Sequence, residues 1–279
     1  MYFRLWLPMF FLSIHVFTTK VNAGNQKDSS RDLYLEGLQV LATPNLKATE
    51  YEQVLSYFEK AKAEAATNKE EADLYHLSIL GLARVYYEMA YAIDANDTRR
   101  SIFLNRSIAE YRSIPRFSPR WPEALFEQAW AYTIIEDYQG ALGALYSLKD
   151  PYFALGFFPE LNVLEAIIYW RNCHFDKAEQ ALQTFQSSYA SLLQKNKTQG
   201  IIDEIEALQI RAQIISLEIK SAQASLLERE KALLSTEKKE ISRSYVVGPD
   251  HFFWGVSPKE RWIDELGYYR IAIKSLCYE

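Results

Sequence analysis

The chain has 279 residues, 49% apolar and 24% charged, with a net charge of -5. That is enough apolar material for a sizeable core, and it is the opposite of a disordered composition. The acidic balance leaves no basic footprint for nucleic acid. With 10 Gly and 9 Pro, the chain is too poor in turn formers for a fold that turns about every 8 to 12 residues, so the composition points to helices.

The N-terminus carries a 13-residue apolar run from Leu5 to Phe17, with Arg4 before it and Val21-Asn22-Ala23 after it. Such a run is shorter than the ~20 residues a spanning helix needs. It reads as a signal peptide over 1–23, cleaved after Ala23. Its alternative is an uncleaved anchor, since Lys20 is unusual near a cleavage site. Residues 24–30 read as a flexible linker. Removing residues 1–23 takes away Arg4 and Lys20 and leaves a mature charge of -7.

The chain then repeats itself. Leu125, Ala129 and Tyr132 are followed by Tyr138, Ala141, Leu145 and Leu148, and 37 residues later the pattern returns as Asn162, Ala166 and Tyr169, then Phe175, Ala178, Leu182 and Phe185. Small residues at Ala129, Ala141, Ala166 and Ala178 let paired helices approach closely, and Tyr132, Leu145, Tyr169 and Leu182 fill the adjoining layer. Two weaker copies lie upstream. One opens at Leu82-Ala83 and Tyr86, continues through Ser107, Tyr111 and Ile114 and ends at Pro119, after an insertion around Asp94 to Arg100. The other carries Leu38, Leu41 and Ala42, then Tyr51, Val54, Phe58 and Ala61.

This pattern resembles the tetratricopeptide repeat (TPR), a helix-turn-helix unit of about 34 residues. The resemblance covers 31–190 as about four helical hairpins. It implies an all-α fold, a TPR-like helical-hairpin solenoid; the residues beyond 200 add a long helix and a small aromatic C-terminal module with a possible β-hairpin.

Past Gly200, apolar residues at Ile201, Ile205, Leu208, Ala212, Ile215, Ile219, Ala222 and Leu226 alternate spacings of four and three, as a coiled-coil seam does. The spacing predicts an amphipathic helix over 201–245. It either caps the repeat stack with its seam on the last unit or serves as a homodimerisation helix. Residues 246–279 form an aromatic module with Phe252, Phe253, Trp254, Trp262, Tyr268 and Tyr269, and from Tyr269 to Cys277 the period is that of a strand. A β-hairpin folded back on the helices is one arrangement for it.

Two cysteines, Cys173 and Cys277, remain to be placed. In an exported chain an even count reads as one disulfide, whereas in the cytosol the same pair would read as two thiols. Neither belongs to a CxxC, and His174 beside Cys173 reads as a turn residue, so no metal site is expected. No HExxH, GxSxG, Walker or GxGxxG motif occurs. The expectation is a chain without catalytic residues or cofactor. The alternative is an envelope enzyme or binding module acting on peptidoglycan glycan, with Asp264-Glu265 beside Trp262 in an aromatic cleft.

A stack of this kind presents the first helix of each unit on a concave face. Helical spacing places Leu80, Arg84 and Tyr87 there, then Phe126, Trp130 and Thr133, then Val163, Ile167 and Trp170. Aromatic anchors with a few polar groups suit a partner helix or extended peptide. The chain's own long helix or aromatic tail would fill the same groove equally well.

The stretches IPRFSPRWPEALFEQAWAY and FFPELNVLEAIIYWRNCHFDKA, with the closing RWIDELGYYR and Cys277, resemble exported TPR proteins of Gram-negative envelopes, the adventurous gliding motility TPR group among them. That resemblance implies a periplasmic scaffold whose partners are envelope proteins, meeting the membrane only through them.

Overall fold

The computed structural model describes residues 29–153, 158–195, 199–236 and 266–277. The expected signal peptide and most of the expected linker lie outside these residues, as do 246–265 and 278–279 of the expected aromatic module. The described residues are all-α, with no strand among them. The helices are α1 (Ser30–Leu41), α2 (Ala48–Ala65), α3 (Ala72–Ala92), α4 (Thr98–Ser113), α5 (Trp121–Ile134), α6 (Tyr138–Leu148), α7 (Leu161–Arg171), α8 (Phe175–Lys195) and α9 (Gln199–Thr236). Among the described residues, no helix is long and apolar enough to cross a membrane.

Local chemistry sets the helix ends. Ser29 caps α1 in a reciprocal box with Asp32, so the first helix begins one residue inside the span expected to be linker. Asp97 caps α4 by accepting from the Arg99 N–H at 2.8 Å, satisfying a donor that the helix itself cannot. Ile114 was expected inside that helix, yet α4 stops at Ser113 and Ile114 is extended. Pro115 explains this, because the residue before a proline is pushed out of the helical region.

The chain divides into two compact units, one holding the described residues up to Phe158 together with Arg270–Ala272, the other those from Pro159 to Tyr269 and from Ile273 onward. In the first unit, consecutive helices pack against each other from α1 to α6. The core of α1–α3 centres on Phe58 of α2, which is fully buried with Leu33, Val54, Leu82 and Val85 around it. Gly37 of α1 and Gly81 of α3 make room for that ring: a Cβ at either position would meet it at 2.8 or 2.9 Å.

In the second unit, α7, α8 and α9 pack together. Ile205, Leu208, Ala212, Ile215 and Ile219 of α9 are buried, so the seam read from the sequence lies inside this unit. The helix is described from Gln199 to Thr236, and 237–245 of the expected span lie outside the described residues.

The two stronger repeats share their turn. Between α5 and α6, Glu136 takes a φ of 63° and the Asp137 N–H donates to the Tyr132 carbonyl at 2.9 Å. Between α7 and α8, Cys173 takes a φ of 58° and the His174 N–H donates to the Tyr169 carbonyl at 2.9 Å. Both close the first helix of the pair with a left-handed residue and a six-residue hydrogen-bonded loop. Ala129, Ala141, Ala166 and Ala178 are all fully buried, as helices in close approach require.

The C-terminal segment departs from the expected strand. Tyr269, Ile271 and Ile273 are half-buried between exposed neighbours, so the period of two holds as far as Ile273, whereas residues 274–277 are all exposed. No ladder forms among the described residues, and isolated bonds fasten the segment to the start of α6 and to the C-cap of α7. In the first unit the Ile271 N–H donates to the Gln139 carbonyl at 3.2 Å, and in the second the Leu276 N–H donates to the Asn172 carbonyl at 2.9 Å.

Candidate functional site

The expected groove residues are present but mostly enclosed. Leu80, Tyr87, Phe126, Trp130, Thr133, Val163 and Ile167 are buried, and only Arg84, with 20% of its side chain exposed, and Trp170 keep partial exposure. The physical reason is clearest on α5, where every residue from Ala124 to Ala131 is buried. Such a helix packs around its whole circumference, so spacing alone cannot say which side stays open. The Thr133 hydroxyl donates to the Ala129 carbonyl at 2.8 Å, and the Trp130 indole nitrogen is buried without an acceptor among the described residues.

Arg84 is the chemical centre of this face in the first unit. Its Nε lies 3.1 and 3.0 Å from the two carboxylate oxygens of Glu127, and its Nη2 lies 2.5 Å from both Glu127 Oε1 and Glu123 Oε1. Tyr111 donates its hydroxyl to Glu127 Oε2 at 2.8 Å. Burial pushes the Glu127 carboxyl above the usual carboxylate range, against the opposing pull of Arg84. The cluster joins α3, α4 and α5 and presents Glu123, at 40% side-chain exposure, to solvent. It holds one cation against two carboxylates and can offer that second carboxylate to a basic group. Sequence reasoning found Arg84 but not Glu127, Glu123 or Tyr111, because the network links residues as much as 43 positions apart.

Nearby, Arg120 forks onto Asp73 with both bonds at 2.8 Å. Ser118 Oγ accepts the Arg120 N–H at 3.1 Å and lies 2.9 Å from His76 Nδ1. Serine, histidine and aspartate thus meet, but Ser118 is buried and the Asp73 carboxylate is held by Arg120. Neither group is set up for nucleophilic attack.

In the second unit, Cys173 and Cys277 form a disulfide with Cα atoms 5.1 Å apart. His174 lies in the same turn and its Nε2 meets the Lys274 carbonyl at 2.7 Å, which fits a structural role. Among the described residues, no group of His, Cys, Asp and Glu is placed to hold a metal ion. Trp262, Asp264 and Glu265 of the glycan reading lie outside the described residues.

Comparison with protein-family models, with curated proteins and with solved structures found no match to this chain.

Proposed function

We propose that this protein is an exported, TPR-like scaffold that holds a protein partner in the cell envelope and carries out no chemistry of its own. The observation that supports this most strongly is the repeated turn: the same left-handed residue and the same hydrogen bond recur 37 positions apart, each between helices that meet on buried alanines. Repeating helical hairpins serve as extended binding surfaces, although fold by itself names no task. A disulfide agrees with an oxidising compartment.

Within the first unit, the contact point we assign is the Arg84–Glu123 rim rather than the buried aromatic rings, with a basic group of the partner paired to Glu123. The test uses the oxidised mature chain as bait in envelope extract. Recovery of one partner by the wild type, lost in Glu123→Lys at unchanged melting temperature, supports the reading. Turnover of purified peptidoglycan glycan, with no protein retained, would replace it with the enzymatic alternative.

A further inference from the structure

The buried seam accounts for one face of α9. By the helical step of about 100° per residue, the opposite face carries Ile210, Ile214 and Leu217, which are 59%, 48% and 66% exposed. Ala207 precedes them, and Ser221 and Ala224 follow, at the same alternating spacing of three and four. We infer that this second stripe pairs, antiparallel, with the same stripe of a second copy of the chain.

The spacing selects a helical partner, since a heptad seam fits another helix and matches neither a sheet edge nor a flat surface. Complementarity selects this chain as that partner. Reflecting the helix about the midpoint of Ile214 and Leu217 sets Ile214 against Leu217 of the second copy, Ile210 against Ser221, and Ala207 against Ala224. The bulkiest residues meet at the centre and small residues at both ends let the backbones close together. On one flank of that seam the antiparallel pair brings Arg211 alongside Glu218 of the second copy, two positions off the mirror point, and this contact occurs twice by symmetry. Arg211 is held at the edge of the stripe by Glu160, 3.6 Å away, and Glu218 is exposed. A parallel pair would instead leave Glu218 facing Gln213. The seam from Ala207 to Ala224 is about 26 Å long, at the small end of specific interfaces, so the dimer dissociates in the micromolar range. This inference is independent of the scaffold reading.

Sedimentation equilibrium of the oxidised mature chain, from about 1 to 200 µM, should show a monomer–dimer equilibrium. Ile214→Lys and Leu217→Lys should each weaken it at least about tenfold, with helicity and monomer melting temperature unchanged because both side chains are exposed. Should Ile214→Lys prove less stable, Leu217→Lys decides alone. Glu218→Lys should raise the dissociation constant about tenfold at low salt and less at high salt. A chain that stays monomeric throughout, or a dimer indifferent to Leu217→Lys, overturns the proposal. A dimer sensitive to Leu217→Lys but not to Glu218→Lys overturns the antiparallel pairing.

Discussion

The α3–α5 region and the α7–α9 region are fixed by different means. In the first, a guanidinium and a carboxylate are taken into the packing together, with Tyr111 completing the set. In the second the helices meet almost wholly through apolar groups, Leu164, Ile168, Phe185, Ile205 and Ile215 among them, and the C-terminal segment is tied down covalently at Cys277. A buried ion pair adds little net stability, because desolvation offsets most of the attraction, yet it penalises any packing that separates its partners. A disulfide acts on the unfolded chain and is indifferent to the fine packing of the helices. One region is therefore vulnerable to loss of a single partner and the other to reduction.

Breaking the covalent tie should have the largest effect. The bridge closes a separation of 104 residues, and loop-closure entropy gives about 4 to 5 kcal/mol for a loop of that size, less any native strain. Cys173→Ser/Cys277→Ser should lose an amount of that order in urea unfolding, and reductant should bring the wild type to the same midpoint. Equal midpoints for oxidised and reduced wild type would remove the contrast between the regions.

Removing one partner of the buried pair should come next. Glu127→Ala leaves Arg84 with Glu123 alone and deprives the Tyr111 hydroxyl of its acceptor, at a cost of about 3 to 5 kcal/mol. Replacing both, as Arg84→Met/Glu127→Leu, should recover most of that loss, with unfolding midpoints as the readout. A double variant as unstable as Glu127→Ala would show that the charges themselves hold the three helices together.

How far the sequence foretold this contrast depends on the distance between the residues involved. Ala129 with Ala141, and Ala166 with Ala178, lie 12 positions apart, so local spacing exposes the hairpins and their turn. The cysteine pair was readable from an even count only on the expectation that the chain is exported. The Arg84–Glu127 pair was not, since it arises only when α3 and α5 are brought together. Nor could the groove be read, because α5 is apolar on every side. In α9 the stronger seam concealed the weaker one: Ile210, Ile214 and Leu217 have the same spacing as the buried residues, and only the packing of one face shows that the other is open. The period of two after Tyr269 shows in the half-burial of Tyr269, Ile271 and Ile273, but it could not name Gln139 and Asn172 as the acceptors of this segment's backbone N–H groups.

A third prediction sharpens the role of charge in the first region. Burial pushes the Glu88 carboxyl up to about 7 from its ordinary 4.5. Between those values the folded state binds more protons than the unfolded state, so stability falls as pH rises through this window and levels off above it. Glu88→Gln should flatten that slope and raise stability at pH 8 by about 3 kcal/mol. Stability measured from pH 4.5 to 8 in both chains checks the sign: a wild type that gains stability across the window would mean that Glu88 has a favourable partner once ionised.

The smallest effect should come from the ionic fastening at the α5–α6 turn, the counterpart of the covalent one at the α7–α8 turn. Arg270 donates to both Asp137 oxygens, at 3.0 and 2.7 Å, but its side chain is 55% exposed. An exposed pair of this kind contributes about 0 to 1 kcal/mol, and 1 M salt should erase the difference between Arg270→Ala and wild type. Asp137 has a second duty, since its Oδ1 also accepts the Gly140 N–H at 3.1 Å and so caps α6. Asp137→Ala should therefore cost more, about 1 to 2 kcal/mol, and the excess should persist in salt because a cap is a short hydrogen bond inside one turn. If both variants lose the same amount and salt removes both losses, the cap adds nothing and the ion pair alone fastens that turn.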